Sequence, residues 1–140
     1  EKFFVQAIEE YSKRLSRFCD FKIIEVDEAS KFTNLEKKAD AEGELLLSKC
    51  KGVIICLDSK GKMLSSPEIA DFIGKKKLSG ESELSFVIGG SNGLSSAILN
   101  KAQLVLSFGK ITYPHQLFRV VLTEQIYRAL TILEGLPYHK

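Results

Sequence analysis

Three short apolar runs constrain the fold of this chain more than any other feature. They read GVIICL at 52–57, LSFVI at 84–88 and LVLSF at 104–108, without regular polar alternation. Runs of this kind are typical of strands buried on both faces, as in parallel sheets covered by helices. A further run, FKIIEV at 21–26, is rich in branched and aromatic residues and predicts a fourth strand.

Helical patterns alternate with these strands along the chain. Apolar residues recur at three- and four-residue steps over 3–17, and residues 34–49 are rich in helix formers. A short helix is predicted over 95–101, and a long one follows Pro114 as far as about Leu133. The alternation predicts an α/β fold with a mostly parallel sheet flanked by helices.

The helix in the middle of the chain has the clearest start signal. Ser66-Pro67-Glu68 places a serine at the N-cap, a proline at the first helical position and an acid in the first turn. We expect this helix to end near Leu78. The polar stretch 58–65 in front of it predicts a loop.

Composition fits one globular domain over residues 1–140. The chain is 44% hydrophobic and 27% charged, and no apolar run approaches the roughly 20 residues of a membrane span. We expect no signal peptide and no membrane partner. The three cysteines lack CxxC spacing, which argues against a disulfide framework and a structural zinc site and favours reduced thiols in a cytosolic protein.

The ends of three predicted strands carry the residues best suited to bind a ligand. Ligands of parallel α/β sheets bind outside the carboxyl ends of the strands. Here those ends read LDSKGK at 57–62, IGGSNG at 88–93 and SFGKITYPH at 107–115. The glycines of the second segment allow close backbone approach, as in nucleotide-binding loops, although the spacing is neither GxGxxG nor Walker. A tight turn without a ligand explains those glycines equally well.

Two histidines and two arginines are the side chains most able to act in a reaction. His115 and His139 each follow a proline-containing turn, and a histidine can act as a general base near neutral pH. A hydrogen-bonded surface histidine is the commoner role for either one alone. Arg119 lies one turn after His115, which favours a functional role for it and a structural one for Arg128. Neither histidine has a partner at metal-ligand spacing, so we expect no metal site.

Charge and hydrophobicity give weaker hints about partners. The net charge of +2 is too balanced to indicate nucleic-acid binding by itself. The long helix after Pro114 is apolar on several faces, which is typical of a central helix or of one at an oligomer interface. A homodimer is therefore expected.

Five segments in order along the chain match a known family. They are LDSKGK at 57–62, FVIGGSNGL at 86–94, LSFGKITYPHQ at 106–116, RVVLTEQIYRA at 119–129 and PYHK at 137–140. These segments resemble the RlmH family, SPOUT-class methyltransferases of bacterial large-subunit (23S) rRNA. The resemblance runs along essentially the whole chain and is densest from Leu57 to the C-terminus.

The resemblance implies a fold and an activity that composition does not. The C-terminal part of the sheet is expected to form a deep trefoil knot, the SPOUT or α/β-knot fold, in a cytoplasmic homodimer. The expected reaction transfers the methyl group of S-adenosylmethionine (SAM) to N3 of a pseudouridine in 23S rRNA within the ribosome. Members begin with a strand before the first helix seen here, so the domain is expected to lack its N-terminal strand. The alternative is a non-catalytic RNA- or ribosome-binding module on the same scaffold.

The resemblance also assigns residues to the cofactor pocket. It places that pocket at the three strand ends that the sequence pattern selects. The residues it implies are Leu57, Gly89, Gly90, Phe108, Gly109, Lys110, Ile111, Thr112 and Tyr113.

The acceptor side is implied by the C-terminal Tyr138-His139-Lys140 tail, which is expected to reach the active site of the partner subunit. His139 or His115 is expected to assist deprotonation of N3, with Tyr138 beside them. Arg119 and Lys140 are expected to hold RNA phosphate or the developing negative charge.

Overall fold

The computed structural model describes residues 1–26, 34–90 and 93–140. These residues fall into two compact units. A helical unit contains Glu1–Ile23, Ser65–Ser79 and Thr112–Lys140, and a sheet unit contains Ile24–Leu64 and Gly80–Ile111. In chain order the elements of the described residues are α1 (Lys2–Leu15), α2 (Leu35–Lys49), β1 (Val53–Met63), α3 (Ser66–Leu78), β2 (Leu84–Ile88), α4 (Ser96–Lys101), β3 (Leu104–Ser107) and α5 (His115–Leu133).

β1 is the central strand of a three-stranded sheet. The strand order is β2-β1-β3, and both pairings are parallel. Leu57 of β1 pairs with Ile88 on one side and with Leu106 on the other. β2 and β3 therefore end at the same edge, on either side of Leu57. The prediction of an α/β fold with a parallel sheet flanked by helices is confirmed for these three strands.

The core of the sheet unit forms where α2 and α4 pack against the sheet. Cys56, Val87 and Ile98 are its buried centre. Val53, Ile55 and Leu57, at the alternate positions of β1, are buried as well. The first half of β1 is thus buried on both faces, as its continuous apolar run predicted. Burial raises the pKa of the Cys56 thiol to about 11, so this cysteine is a neutral core residue.

The polar residues after Leu57 do not form the loop that the sequence predicted. β1 continues to Met63, and its pairing with β3 shifts register so that Leu57 and Lys62 both lie opposite Leu106. The residues between them, 58–61, form a bulge. A Cβ built on Gly61 would lie 2.5 Å from the carbonyl oxygen of Val105, so this bulge runs close against β3. Polarity did not reveal the extension because strand pairing uses the backbone, which every residue supplies.

The strand predicted over residues 21–26 is wrong. These residues form no strand pairing within the described part of the chain. Ile23 and Ile24 are 44% and 55% exposed. Branched and aromatic residues favour extended backbone, but a strand also needs a hydrogen-bonded neighbour, which composition does not supply.

In the helical unit, α1 and α3 both pack on α5. α3 and α5 approach closely at Gly74, where an added Cβ would lie 2.8 Å from a methyl group of Leu133. The residues of the three helices that are buried and apolar are Leu15, Ile69, Ala70, Ile73, Leu122, Ile126, Ala129 and Leu130.

α3 begins one residue earlier than the sequence predicted. Its N-cap is Ser65, not Ser66. The Ser65 hydroxyl accepts from the Glu68 amide at 3.2 Å, and the Glu68 carboxylate accepts from the Ser65 amide at 2.8 Å. Ser65 and Glu68 have the three-residue spacing of a capping box, which Ser66 lacks. The Ser66 hydroxyl instead donates to the side-chain oxygen of Gln125 at 2.7 Å.

Candidate active site

Seven of the nine predicted cofactor residues lie at the carboxyl edge of the sheet. Leu57 is in β1 at that edge, Gly89 and Gly90 follow the last residue of β2, and residues 108–111 follow the last residue of β3. Thr112 and Tyr113 belong to the helical unit, where the ring of Tyr113 packs edge-on against Phe118 at 5.2 Å. The structure therefore brings the ends of the three strands, with seven of the nine residues, to one edge of the sheet unit, as expected of parallel strands.

Gly89 and Gly90 begin a turn that is closed by a hydrogen bond. The Gly93 amide donates to the Gly90 carbonyl at 3.0 Å, and these two residues form an isolated bridge. Gly93 has a φ of 75°, and a Cβ on Gly89 would lie 2.9 Å from the carbonyl carbon of Gly93. The turn itself thus requires glycine at both positions. Residues 91 and 92, which belong to the same predicted loop, lie outside the described residues.

The segment after β3 turns sharply at Gly109. The φ of this residue is 102°, a conformation that other residues rarely adopt. A Cβ built on Gly109 would meet nothing within 4 Å, so this side of the turn faces open space. The next two residues, Lys110 and Ile111, are exposed, with Ile111 at 75%. Leu57 differs from these residues, since it is buried and only 6% exposed.

The C-terminal tail docks on the second half of α5. The Tyr138 hydroxyl donates to the Glu124 carboxylate at 2.8 Å. The Tyr138 ring packs edge-on against Tyr127, with 4.7 Å between ring centroids. Burial, followed by the hydrogen bond to Glu124, raises the pKa of Tyr138 well above its usual value. In this arrangement Tyr138 keeps its proton and acts as a hydrogen-bond donor to Glu124.

Arg128 is the second anchor of the tail. Its guanidinium donates to both carboxylate oxygens of Glu124, at 2.8 and 3.4 Å, and stacks over the Tyr138 ring at 4.9 Å. It also lies 3.1 Å from Nδ1 of His139. Because arginine is always a donor, Nδ1 of His139 is the acceptor and the proton of the neutral ring is on Nε2. In this conformation the lone pair of His139 is therefore already engaged.

The structure does not bring all predicted catalytic residues together within one chain. His115 is the first residue of α5 and Arg119 lies one turn later. Arg128, which contacts His139, is thirteen residues after His115, or about 20 Å along the helix axis. His115 and Lys140 are exposed. The predicted residues thus form two groups, one at the start of α5 and one where the tail meets its second half.

Sequence reasoning missed two residues that shape these groups and set aside a third. Glu124 holds both Tyr138 and Arg128, and Ser107 hydrogen-bonds to the turn at Gly109. For Arg128 the sequence favours a structural role. The i, i+4 spacing of Glu124 and Arg128 signals an ion pair on a helix, but does not say what else the pair holds. Ser107 gave no signal, because a serine at a strand end is common.

The described residues show neither a membrane span nor a metal cluster. Among the helices of residues 1–26, 34–90 and 93–140, none combines the length and apolar character that crossing a membrane requires. The same residues nowhere gather three His, Cys, Asp or Glu side chains as a metal site would need.

The sequence of this chain matches a known protein family. A family model described as "Predicted SPOUT methyltransferase" matches residues 1–139. The chain belongs to the SPOUT methyltransferase family. A methyltransferase requires a methyl donor, and the resemblance to SPOUT enzymes found in the sequence is confirmed.

Relatives of this SPOUT methyltransferase carry a more specific name. Proteins of Carboxydothermus hydrogenoformans and of Clostridium botulinum strain Okra are each named ribosomal RNA large subunit methyltransferase H. Each is 50% identical over 147 aligned positions that cover 100% of this chain and 92% of the relative. A protein of Clostridium tetani with the same name is 49% identical with the same coverage.

Proposed function

We propose that this chain transfers the methyl group of SAM to N3 of a pseudouridine in 23S rRNA of the large ribosomal subunit. Family membership makes it a methyltransferase. The ribosomal RNA substrate is proposed from relatives that are named for it and are about half identical along the whole chain. The pseudouridine N3 target is proposed from the RlmH resemblance of the sequence.

The gathering of Leu57, Gly89, Gly90 and residues 108–111 at one sheet edge is the observation that carries the proposal. An adenosine group needs backbone donors and acceptors that it can approach closely. Gly89 and Gly90 have no side chain to block that approach, and the turn at Gly109 faces open space. These features fit SAM. Lys110, Ile111, Thr112 and Tyr113 would complete the pocket.

When bound, SAM supplies an electrophilic methyl group on a sulfonium leaving group. The protein must then position the acceptor base and remove the proton from its N3, because the protonated nitrogen is a poor nucleophile. His139 and His115 are the candidate bases. Arg119 is placed to hold RNA phosphate or the negative charge that develops on the ring.

His139 can act as the base only if it exchanges its partner. In the arrangement described above, its Nδ1 accepts from Arg128. We propose that the tail leaves this position and reaches the active site of a second subunit. Tyr138, whose hydroxyl keeps its proton, would then serve as a hydrogen-bond donor there.

We further propose that the protein is a homodimer, in which the C-terminal part of each chain forms the trefoil knot of the family. Its partner is 23S rRNA within the ribosome, and its location is the cytoplasm.

Calorimetric titration of SAM into the purified protein tests the cofactor site. The mass of the protein in solution, measured alongside, shows whether it is a dimer. We expect saturable binding to a dimer. Gly89→Val should abolish that binding, because its side chain would collide with the backbone of Gly93 and with Leu94. Gly80→Ala is the matched control: its φ of 87° strains the variant, but Gly80 lies outside the proposed site. A folded dimer that does not bind SAM would favour the alternative of a non-catalytic RNA- or ribosome-binding module.

Alanine variants of the two histidines test the acceptor side. His139→Ala and His115→Ala should both retain SAM affinity, since neither residue is in the proposed cofactor pocket. Turnover on ribosomes should fall about a hundredfold or more in the variant that lacks the base. Wild-type turnover in both variants would remove the histidines from the mechanism.

A further inference from the structure

A buried serine links the bulge of β1 to the turn after β3 at the proposed cofactor edge. Ser107 is the last residue of β3 and is 3% exposed. Its hydroxyl donates to the Ser59 carbonyl at 3.1 Å, with the Gly109 carbonyl at 3.4 Å as a second acceptor. The same oxygen accepts from the Gly109 amide at 3.0 Å. Ser107 thus joins the bulge at 58–61 to the turn that begins the segment 108–111.

These contacts lie where regular strand pairing is interrupted. The register between β1 and β3 jumps from Leu57 to Lys62, and β3 ends at Ser107 itself. The bulge therefore leaves regular pairing opposite Leu106, and the segment 108–111 leaves the sheet after Ser107, the next residue of β3. A buried hydroxyl that satisfies groups on both segments fixes one relative to the other.

We propose that Ser107 is a positioning residue for the methyl donor. It does not contact the reacting atoms, but sets the conformation of residues 108–111, whose backbone and side chains form one wall of the pocket. A loop fixed before binding loses less conformational freedom when the ligand binds, which raises affinity. This inference rests on the proposed function, because it requires that the edge binds SAM.

The sheet contains a matched control at its opposite end. Ser85, near the start of β2, accepts from the Lys51 amide at 2.8 Å and donates to the Lys51 carbonyl at 2.8 Å. Ser85 lies opposite Ile54 in the register, whereas the proposed site begins beyond Leu57. Ser85→Ala therefore removes a comparable pair of hydrogen bonds to backbone without touching the cofactor edge.

The test combines amide hydrogen exchange with calorimetric titration of SAM. In Ser107→Ala the Gly109 amide should exchange faster without SAM, and SAM affinity should fall about tenfold, as expected from loss of the hydrogen bonds that order the loop. The Michaelis constant for SAM should rise at nearly unchanged kcat. Ser85→Ala should speed exchange of the Lys51 amide but keep SAM affinity within about twofold of wild type.

Each result separates this inference from the proposed function. Unchanged SAM affinity in Ser107→Ala, or an equal loss in Ser85→Ala, overturns the positioning role. If the wild-type protein binds no SAM, the proposed function fails and this inference with it, while exchange at Gly109 still reports whether Ser107 orders the loop. If Ser107→Ala does not fold, Ser107→Cys, which keeps the shape with weaker hydrogen bonding, should give an intermediate affinity; wild-type affinity there overturns the role.

Discussion

At the scale of single residues, Glu124 is the acceptor that holds the C-terminal tail on α5. Its carboxylate accepts from the Tyr138 hydroxyl and from the Arg128 guanidinium. Arg128 in turn donates to His139. A negative charge beside a phenol favours the neutral phenol, and the arginine donor at Nδ1 leaves the ring proton of His139 on Nε2. The tail of this conformation is therefore held through a continuous set of charge-assisted hydrogen bonds.

Tyr138→Phe should change how stability depends on alkaline pH. Burial and Glu124 raise the pKa of Tyr138 in the folded protein above the unfolded value of about 10. The unfolded chain therefore loses this proton first, so its contribution to stability is complete below about pH 10 and is lost as pH rises further toward the folded pKa. The variant should lower the free energy of unfolding by about 1 kcal/mol at neutral pH and show a shallower loss above pH 10.

Denaturant unfolding of the wild type and of Tyr138→Phe between about pH 8 and pH 11 measures the difference in their pH dependence. This range begins below the ordinary pKa of tyrosine. Tyr113→Phe is a suitable control, because Tyr113 is another half-buried tyrosine that packs edge-on against an aromatic ring. Parallel pH curves for wild type and Tyr138→Phe would contradict the predicted state of Tyr138.

At the scale of elements, α5 carries two groups of candidate residues. Its first turn contains His115, and its second half receives the tail. α3 packs on the same helix and contacts it through a polar link between Ser66 and Gln125. The two adjacent serines at the start of α3 therefore have different roles. Ser65 caps the N-terminus of α3, and Ser66 links α3 to α5.

Alanine substitutions of these two serines should both destabilise the protein, but for different reasons. Ser65→Ala should lower the free energy of unfolding by about 1 kcal/mol through loss of the capping box. Ser66→Ala should have a similar effect through loss of its bond to Gln125. Double-mutant cycles with Gln125→Ala distinguish them: coupling is expected for Ser66 and not for Ser65. If Ser65, and not Ser66, is coupled to Gln125, then the two roles are reversed and Ser66 is the N-cap.

At the scale of the whole molecule, the proposed dimer makes a prediction about shared sites. If the tail of one subunit acts at the cofactor pocket of the other, two inactive variants should complement each other. Gly89→Val loses the pocket and His139→Ala loses the tail. In a mixed dimer one of the two sites combines an intact pocket with an intact tail, so the isolated mixed dimer should have about half of wild-type activity.

Co-expression of the two variants with different affinity tags allows the mixed dimer to be isolated and assayed on ribosomes. His139→Ala co-expressed with itself is the control. No activity in the mixed dimer, together with activity of a dimer in which one chain is wild type, would show that each tail serves its own pocket.

Sequence alone determined the type and order of most elements, and it predicted that the segments after Leu57, Ile88 and Ser107 lie at one edge of the sheet. This succeeded because apolar periodicity, capping residues and glycines act locally, and because parallel strands place their carboxyl ends at one edge. It failed for residues 21–26, because a strand depends on a neighbour that is distant in sequence. It also failed beyond Leu57, where β1 continues by backbone pairing with β3.

Only the tertiary structure decided which residues hold the candidate site in place. Nothing local distinguishes Ser107 from other serines, or says that Glu124 and Arg128 receive Tyr138 and His139. The contacts of Ser107 with Ser59, of Arg128 with His139 and of Glu124 with Tyr138 join residues 48, 11 and 14 positions apart. Hydrogen bonds of this kind depend on distances and burial that a sequence pattern does not contain. The sequence determined which residues could do the chemistry, and the packing of the chain decided what each one touches.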